Sequence, residues 1–188
     1  MKICVTHLLV ILALLFGLSV PTMADPGNGA HKLEGAWVAK VPGRFGQWSY
    51  VVSSDPSGKR ASGHGSVDIG FNANEVCFGQ AQFEQSDTAS PILVSIVMTG
   101  PDTASYYAIW YGLKDLGPDS LLTNEIVLIG VVKGQLHFVA PGKAIGTHNF
   151  EIYQPTADED NDGLPDEGAD AACVFPMTTV DTRLPMPE

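Results

Sequence analysis

Four aspartates with regular spacing stand near the C-terminus, in the stretch ADEDNDGLPDEG. Asp158, Asp160 and Asp162 alternate along the chain, Gly163 follows them, and Asp166 comes three residues after the glycine. Calcium takes about six to eight hard oxygen ligands, and alternate short carboxylates converge when a chain coils round such an ion. The glycine permits the sharp bend that this coil needs. The spacing predicts a calcium-binding loop, and the absence of cysteine and histidine from the stretch argues against zinc or copper.

The same residues resemble two known kinds of calcium loop. The pattern Asp-x-Asp-x-Asp-Gly-x-x-Asp is similar to the core of EF-hand and dockerin loops, and DNDGLPD followed by Asp170 and Cys173 resembles a thrombospondin type 3 repeat. The alternative interpretation is a solvated acidic linker. The resemblance implies a calcium ion held by four carboxylates and one carbonyl, with Asp170 as a further candidate: Asp158, Asp160, Asp162, the Leu164 carbonyl and Asp166.

The N-terminus predicts export. Lys2 gives a positive start, an apolar run extends from Leu8 to Val20, and small residues at Thr22 and Ala24 are what a signal peptidase reads. The run is too short for a membrane span. We therefore expect a signal peptide at 1–24 and a secreted or periplasmic protein without a membrane span.

Two cysteines, Cys77 and Cys173, remain after that cleavage. An oxidising compartment favours a disulfide between them, and the alternative is two separate thiols. A bridge closing a loop of about a hundred residues would contribute about 4 kcal/mol in the chain-entropy model.

The negative charge is concentrated at one end of the chain. The formal net charge is −11, and residues 154–188 hold nine acidic side chains against Arg183 alone. Such a protein repels phosphates, so nucleic acid is excluded as a partner. The concentrated charge needs either water or a cation.

Short apolar runs separated by turn residues fill the body of the chain. Ser54-Asp55-Pro56-Ser57-Gly58, Lys133-Gly134 and Pro141-Gly142 are turn signals between runs rich in β-branched and aromatic residues. We predict strands at about 36–41, 47–53, 62–71, 75–84, 91–99, 104–113, 125–132, 135–140 and 147–153.

These runs predict an all-β fold: an antiparallel meander of about eight or nine strands forming a barrel or a sandwich, because closure or stacking protects strand edges. The predicted organisation is a signal peptide (1–24), an N-terminal arm (25–34), the β-domain (35–153) and an irregular acidic calcium-loop tail (154–188).

One local pattern favours a barrel. The segment from Gly35 to Trp37 resembles the Gly-x-Trp of the first strand of lipocalins, which are eight-stranded barrels that hold small apolar ligands. Lipocalins usually set an arginine from the last strand against that tryptophan, and no arginine lies between Arg60 and Arg183 here. The resemblance implies a barrel with a small apolar ligand inside; the alternative is a tryptophan that only fills a core.

No catalytic motif stands out. His64, Ser66 and Asp68 share a strand face but are too far apart for a triad, and an acid–base pair across strands, such as His64 with His148, is the enzymatic alternative. Aromatic residues offer a further possibility, contact with a surface glycan or protein, against core packing: Trp48, Tyr106, Tyr107, Trp110 and Tyr111. The favoured hypothesis is a noncatalytic, exported, calcium-binding β-protein that binds a small apolar ligand or an extracellular partner.

Overall fold

The computed structural model describes residues 30–42, 47–56, 59–67, 77, 83–117 and 124–185. Within these ranges, eight antiparallel strands close into a barrel and a ninth, very short strand is added to one of them. The elements in chain order are α1 (Ala30–Leu33), β1 (Gly35–Lys40), β2 (Gln47–Ser54), β3 (Arg60–Val67), β4 (Thr88–Ala89), β5 (Ile92–Met98), β6 (Thr103–Asp115), β7 (Asn124–Ala140), β8 (Lys143–Tyr153), a 3-10 turn (Pro155–Ala157) and β9 (Cys173–Arg183).

The barrel is a simple meander. Each barrel strand pairs with the next along the chain, in the order β1, β2, β3, β5, β6, β7, β8 and β9, and β9 returns to pair with β1. The short β4 pairs with β6 outside this circuit. Closure leaves no free edge in the circuit, which is the physical reason to expect a barrel from many short strands. The predicted antiparallel β-barrel is confirmed, and a sandwich is excluded.

The predicted signal peptide, Asp68 and most of the strand predicted at 75–84 lie outside the described residues. The predicted N-terminal arm is described only from residue 30, where α1 makes one helical turn.

The last barrel strand corrects the predicted extent of the tail. Residues 173–183, expected to be irregular, form β9. This strand pairs with β8 from Cys173 to Thr182, and its last four residues pair with β1 on the other side. Pro176, Thr178 and the inward-facing Thr179 and Asp181 interrupt the apolar alternation by which a strand is recognised. The segment is a strand because it pairs with β8 and β1, and the local sequence pattern does not reveal this pairing.

The turn predicted at Lys133-Gly134 is also corrected, because β7 runs through it without interruption. A Cβ at Gly134 would lie 2.1 Å from the Thr147 carbonyl oxygen and 2.7 Å from Nδ1 of His148, both on the neighbouring strand β8. Glycine is therefore needed here, because a larger residue would overlap the backbone of β8 as well as the His148 ring. The turn predicted at Pro141-Gly142 is confirmed: it joins β7 to β8, with Gly142 at φ +71°.

The α1 turn and the end of β9 meet around Trp37. The buried indole N–H of Trp37 donates to the Leu33 carbonyl at 2.6 Å, and the Leu33 side chain is itself buried. Arg183, the last residue of β9, is the register partner of Trp37, and its Nη1 donates to the Glu34 carbonyl at 3.3 Å. The strands predicted from the sequence contained no arginine that could lie beside Trp37, whereas the additional strand β9 contains Arg183.

The disulfide between Cys77 and Cys173 is present, with Cα atoms 5.7 Å apart, and confirms the predicted pairing. Both cysteines are buried in the main core. The bridge therefore fixes the start of β9 to the connection that follows β3.

Candidate functional site

The segment between β8 and β9 packs on the outer face of the barrel. Strand β6 alternates between lumenal residues such as Trp110 and outward residues such as Ile109. The outward apolar cluster consists of Ile109, Ile129, Val131 and Tyr153, and the residues packed against it include Ala157, Ala169 and Ala171 from the segment. The acidic stretch is thus framed by alanines that cover an apolar patch, which a free linker would not do.

Tyr111 ties the acidic loop to strand β6. Its hydroxyl donates to the Gly163 carbonyl at 2.6 Å, and Gly163 adopts a left-handed conformation with φ +88°. Burial raises the pKa of Tyr111, and the nearby carboxylates of Asp158 and Asp162 raise it further. The tyrosine therefore stays protonated and remains a hydrogen-bond donor to the loop.

Three of the predicted metal ligands come together. Carboxylate oxygens of Asp158, Asp160 and Asp162, one from each residue, all lie within 4.8 Å of one another. Each aspartate also accepts a backbone N–H: Asp158 Oδ2 from Gly163 at 3.1 Å, Asp160 Oδ1 from Asp162 at 3.1 Å, and Asp162 Oδ1 from Leu164 at 2.8 Å. These bonds fix the carboxylates in one group on the barrel surface.

One oxygen of this group lacks a protein partner. Oδ1 of Asp158 is buried and accepts no hydrogen bond from the part of the chain that the structure describes. A buried carboxylate oxygen without a donor or a cation is costly. The donor set consists of hard oxygens, which suits calcium. The residues present therefore fit the ion that the sequence predicts.

The other two predicted ligands have different places. Asp166 is not a member of the group of three: its Oδ2 accepts the Glu159 N–H at 3.0 Å, and its own N–H donates to Ala157 at 2.7 Å. It closes the base of the loop. The Leu164 side chain is exposed, and its backbone N–H donates to Oδ1 of Asp162.

A second group of polar side chains lies inside the barrel, and the sequence analysis missed it. The buried Asp181 on β9 accepts two hydroxyl hydrogen bonds, from Tyr50 to Oδ2 at 2.7 Å and from Thr179 to Oδ1 at 2.6 Å. Burial raises the pKa of Asp181, while the hydrogen bonds from Thr179 and Tyr50 lower it. The period-two pattern of Cys173, Thr179 and Asp181 could have signalled a common inward face, had this segment been recognised as a strand.

His148 on β8 extends this lumenal group. Its Nε2 lies 3.2 Å from Thr179 Oγ1, and its ring lies 5.1 Å from the ring of Tyr106 and 6.3 Å from that of Trp48. The Trp48 indole N–H donates to the Tyr106 hydroxyl at 3.1 Å. Burial lowers the pKa of His148 to about 4, so the imidazole is neutral near pH 7.

The proposed histidine pair is not assembled. His64 and His137 are exposed on the outer face, whereas His148 is buried in the lumen, so the barrel wall separates them. Ser66 is likewise exposed. The aromatic residues divide in the same way: Trp48, Tyr106 and Trp110 are buried inside, while Tyr107 and Tyr111 pack beside the outward cluster.

Comparison with known proteins found no matching family model, no similar curated protein and no similar solved structure. No helix within the described ranges is long and apolar enough to cross a membrane.

Proposed function

We propose that this protein is an exported, noncatalytic β-barrel that binds calcium in its acidic loop and carries a small, mainly apolar molecule in its lumen. The observation that carries the calcium half is the buried Oδ1 of Asp158, which lies in a group of three carboxylates and has no hydrogen-bond donor among the described residues. A cation bound there removes the cost of burying that oxygen and the repulsion between the carboxylates.

The ion's role is structural. Asp158, Asp160 and Asp162 would hold it, and the Leu164 carbonyl and Asp166 are the further ligands that the resemblance to known calcium loops implies. Bound calcium would keep the β8–β9 segment seated on the outward apolar cluster, in cooperation with the Tyr111 hydrogen bond. The disulfide at the start of β9 supports the same arrangement and is compatible with an oxidising, exported setting.

Calorimetric titration of calcium into chelator-treated mature protein tests the metal site. We expect one ion per chain, seen also as an added calcium mass in native mass spectrometry. Asp162→Ala should abolish binding, whereas Glu167→Gln, an exposed acidic residue outside the group of three, should not. If millimolar calcium changes neither the mass nor the melting temperature, the loop does not bind calcium, and the acidic-linker interpretation is correct.

The ligand half is supported by inward side chains that are incompletely covered. Phe175 and Met177 alternate with the buried Cys173 and Thr179 on β9, so they face the lumen, yet both remain partly exposed. The ring of the buried Phe150 stacks on Phe175 at 5.0 Å and supports it from the neighbouring strand. Apolar side chains on the inner face of a barrel are the kind of surface on which small apolar ligands bind. The pairing of Trp37 with Arg183 of the last strand supports the lipocalin-like interpretation.

A ligand should be recoverable from the natural protein. Native mass spectrometry followed by organic extraction of protein from an export-competent host should yield an organic adduct that survives chelation. The enzymatic alternative would use His148 and Asp181, two titratable groups that both lie in the lumen. It predicts turnover that His148→Gln abolishes. Calcium-dependent binding to a glycan or a protein surface, without any lumenal adduct, would instead favour the extracellular-partner alternative.

A further inference from the structure

The first part of strand β9 is paired on one side only. Residues 173–182 pair with β8, but the pairing with β1 covers only residues 180–183. Within the part of the chain that the structure describes, residues 173–179 therefore have no strand partner on the side of β1. Pro176 has no N–H to donate to a second strand, and proline in a sheet is confined to such edges. Strand pairing alone thus holds the start of β9 from one side.

The disulfide provides the second attachment at this place. Cys173, the first residue of β9, is bonded to Cys77 in the connection that follows β3, and both cysteines are buried. On the β8 side the register partner of Cys173 is the fully buried Ile152. The start of β9 is therefore fixed by backbone pairing on one side and by a covalent bond to a distant part of the chain.

The acidic loop is joined directly to this start. Residues 167–172, the connector, link Asp166 at the base of the loop to Cys173. Ala171 packs against the outward apolar cluster, and the next residue, Ala172, packs against the main core. The connector thus passes from the outer face to the core immediately before the cysteine. An ion in the loop and the disulfide at β9 restrain the same connector from its two ends.

We propose that the disulfide between Cys77 and Cys173 sets the calcium affinity of the acidic loop, so that reduction by a dithiol weakens calcium binding. This inference rests on the proposed calcium site and names its regulation. The reaction converts the disulfide and one dithiol into two protein thiols and an oxidised dithiol, with transfer of two electrons and two protons.

The physical reason is the cost of ordering. Reduction leaves the start of β9 attached by β8 alone, so the connector has to be ordered when calcium binds, and this cost lowers the affinity. Coupling between two equilibria is reciprocal. Bound calcium should therefore make the disulfide harder to reduce by the same factor.

The test compares calorimetric titrations of calcium into the oxidised protein and into the protein reduced with dithiothreitol. We expect the reduced protein to bind calcium about tenfold more weakly. Equal affinities, with one ion bound to the oxidised protein, would overturn this inference and leave the calcium site intact. No ion bound to the oxidised protein would overturn both.

The reverse measurement tests reciprocity. The protein is equilibrated with mixtures of reduced and oxidised dithiothreitol, and its thiols are counted by alkylation and mass spectrometry. The equilibrium constant for reduction should be about tenfold smaller in saturating calcium than in chelator. Asp162→Ala should abolish this calcium effect, whereas the matched control Glu167→Gln, at an exposed position outside the group of three carboxylates, should retain it. The same constant with and without calcium in the wild type would contradict the proposal.

A kinetic measurement covers the case in which the reduced protein unfolds. The initial rate at which dithiothreitol reduces the folded, oxidised protein should be at least tenfold lower in calcium than in chelator. Amide hydrogen exchange in β5, on the far side of the disulfide from the loop connector in chain order, should not change with calcium, which shows that the opening is local. Equal reduction rates, or a calcium effect of equal size on β5, would overturn the proposal.

Discussion

Two aspartates on opposite sides of the barrel wall show two ways of accommodating a carboxylate. In the lumen, both oxygens of Asp181 accept hydrogen bonds from protein hydroxyls, one from Tyr50 and one from Thr179. On the outer face, Asp158 accepts one backbone N–H from Gly163, and its other oxygen is buried without a donor among the described residues. The lumenal carboxylate is satisfied by the fold itself, whereas the outer one needs a partner from outside the chain.

The surroundings of each carboxylate account for this difference. Asp181 has no other acid in its hydrogen-bonded group, and its two hydroxyl donors offset part of the cost of its burial, which still raises its pKa. Asp158 shares its place with Asp160 and Asp162, and hydrogen bonds from the backbone cannot remove the repulsion among three like charges. Calcium should therefore affect the stability contributed by the outer group and leave that of the lumenal group unchanged.

The largest expected effect comes from removing the lumenal carboxylate. Asp181→Ala leaves the Tyr50 and Thr179 hydroxyls without their acceptor and should lower the free energy of unfolding by about 3–5 kcal/mol. Urea denaturation should give the same loss in calcium and in chelator. The control Glu125→Ala, at an exposed position on β7, should cost little. A loss that disappears when calcium is removed would show that the contribution of Asp181 depends on calcium, contrary to the difference drawn between the two aspartates.

Asp158→Asn should act in the opposite way. It removes a charge from the group of three, so the chelated protein should be as stable as the wild type or slightly more stable. The stabilisation by calcium, about 2.7 kcal/mol at a hundred times the dissociation constant, should be lost. Thermal denaturation across a calcium series measures this. A variant that retains the full calcium response would show that the ion binds elsewhere.

The lumenal histidine makes stability depend on pH. With a folded pKa of about 4 against about 6.5 in the unfolded chain, His148 binds its proton more readily when unfolded, so stability falls as the pH drops below 6.5. The loss between pH 7 and pH 5 should be about 2 kcal/mol from this residue. Asp181, whose folded pKa is raised, acts in the opposite direction, because acidification through its folded pKa favours the folded state.

The comparison of wild type with His148→Gln isolates the histidine contribution. Urea denaturation at pH 7 and pH 5 should show a smaller acid loss in the variant, with the calcium response unchanged. An acid loss of the same size in both proteins would contradict the assignment to His148.

The smallest expected change in stability comes from Tyr111, whose hydroxyl holds the acidic loop to strand β6. Tyr111→Phe removes the hydrogen bond to the Gly163 carbonyl and should lower the free energy of unfolding by about 1 kcal/mol, with weaker calcium binding. Tyr107→Phe alters a tyrosine on the same outer face and serves as the control. Equal calcium affinities in the two variants would show that the anchor does not position the loop.

The local features of this protein are written in its sequence. Turn residues such as Pro141-Gly142 and the strand alternation predicted an antiparallel meander, as a barrel or a sandwich, and the spacing of Asp158, Asp160 and Asp162 predicted that these acids form a group. The disulfide was also predicted, because Cys77 and Cys173 are the two cysteines that follow the predicted signal peptide.

The lumenal residues, and the packing of the β8–β9 segment on the outer face, are evident only from the tertiary structure. The lumenal group joins residues from β2, β8 and β9, separated by up to 131 positions between Tyr50 and Asp181, so no local pattern connects them. The same long-range closure turned the expected tail into β9, placed Arg183 beside Trp37, and separated His64 from His148. Barrel closure assigns each side chain to the lumen or to the surface, and that assignment depends on strand pairings that are distant in the chain.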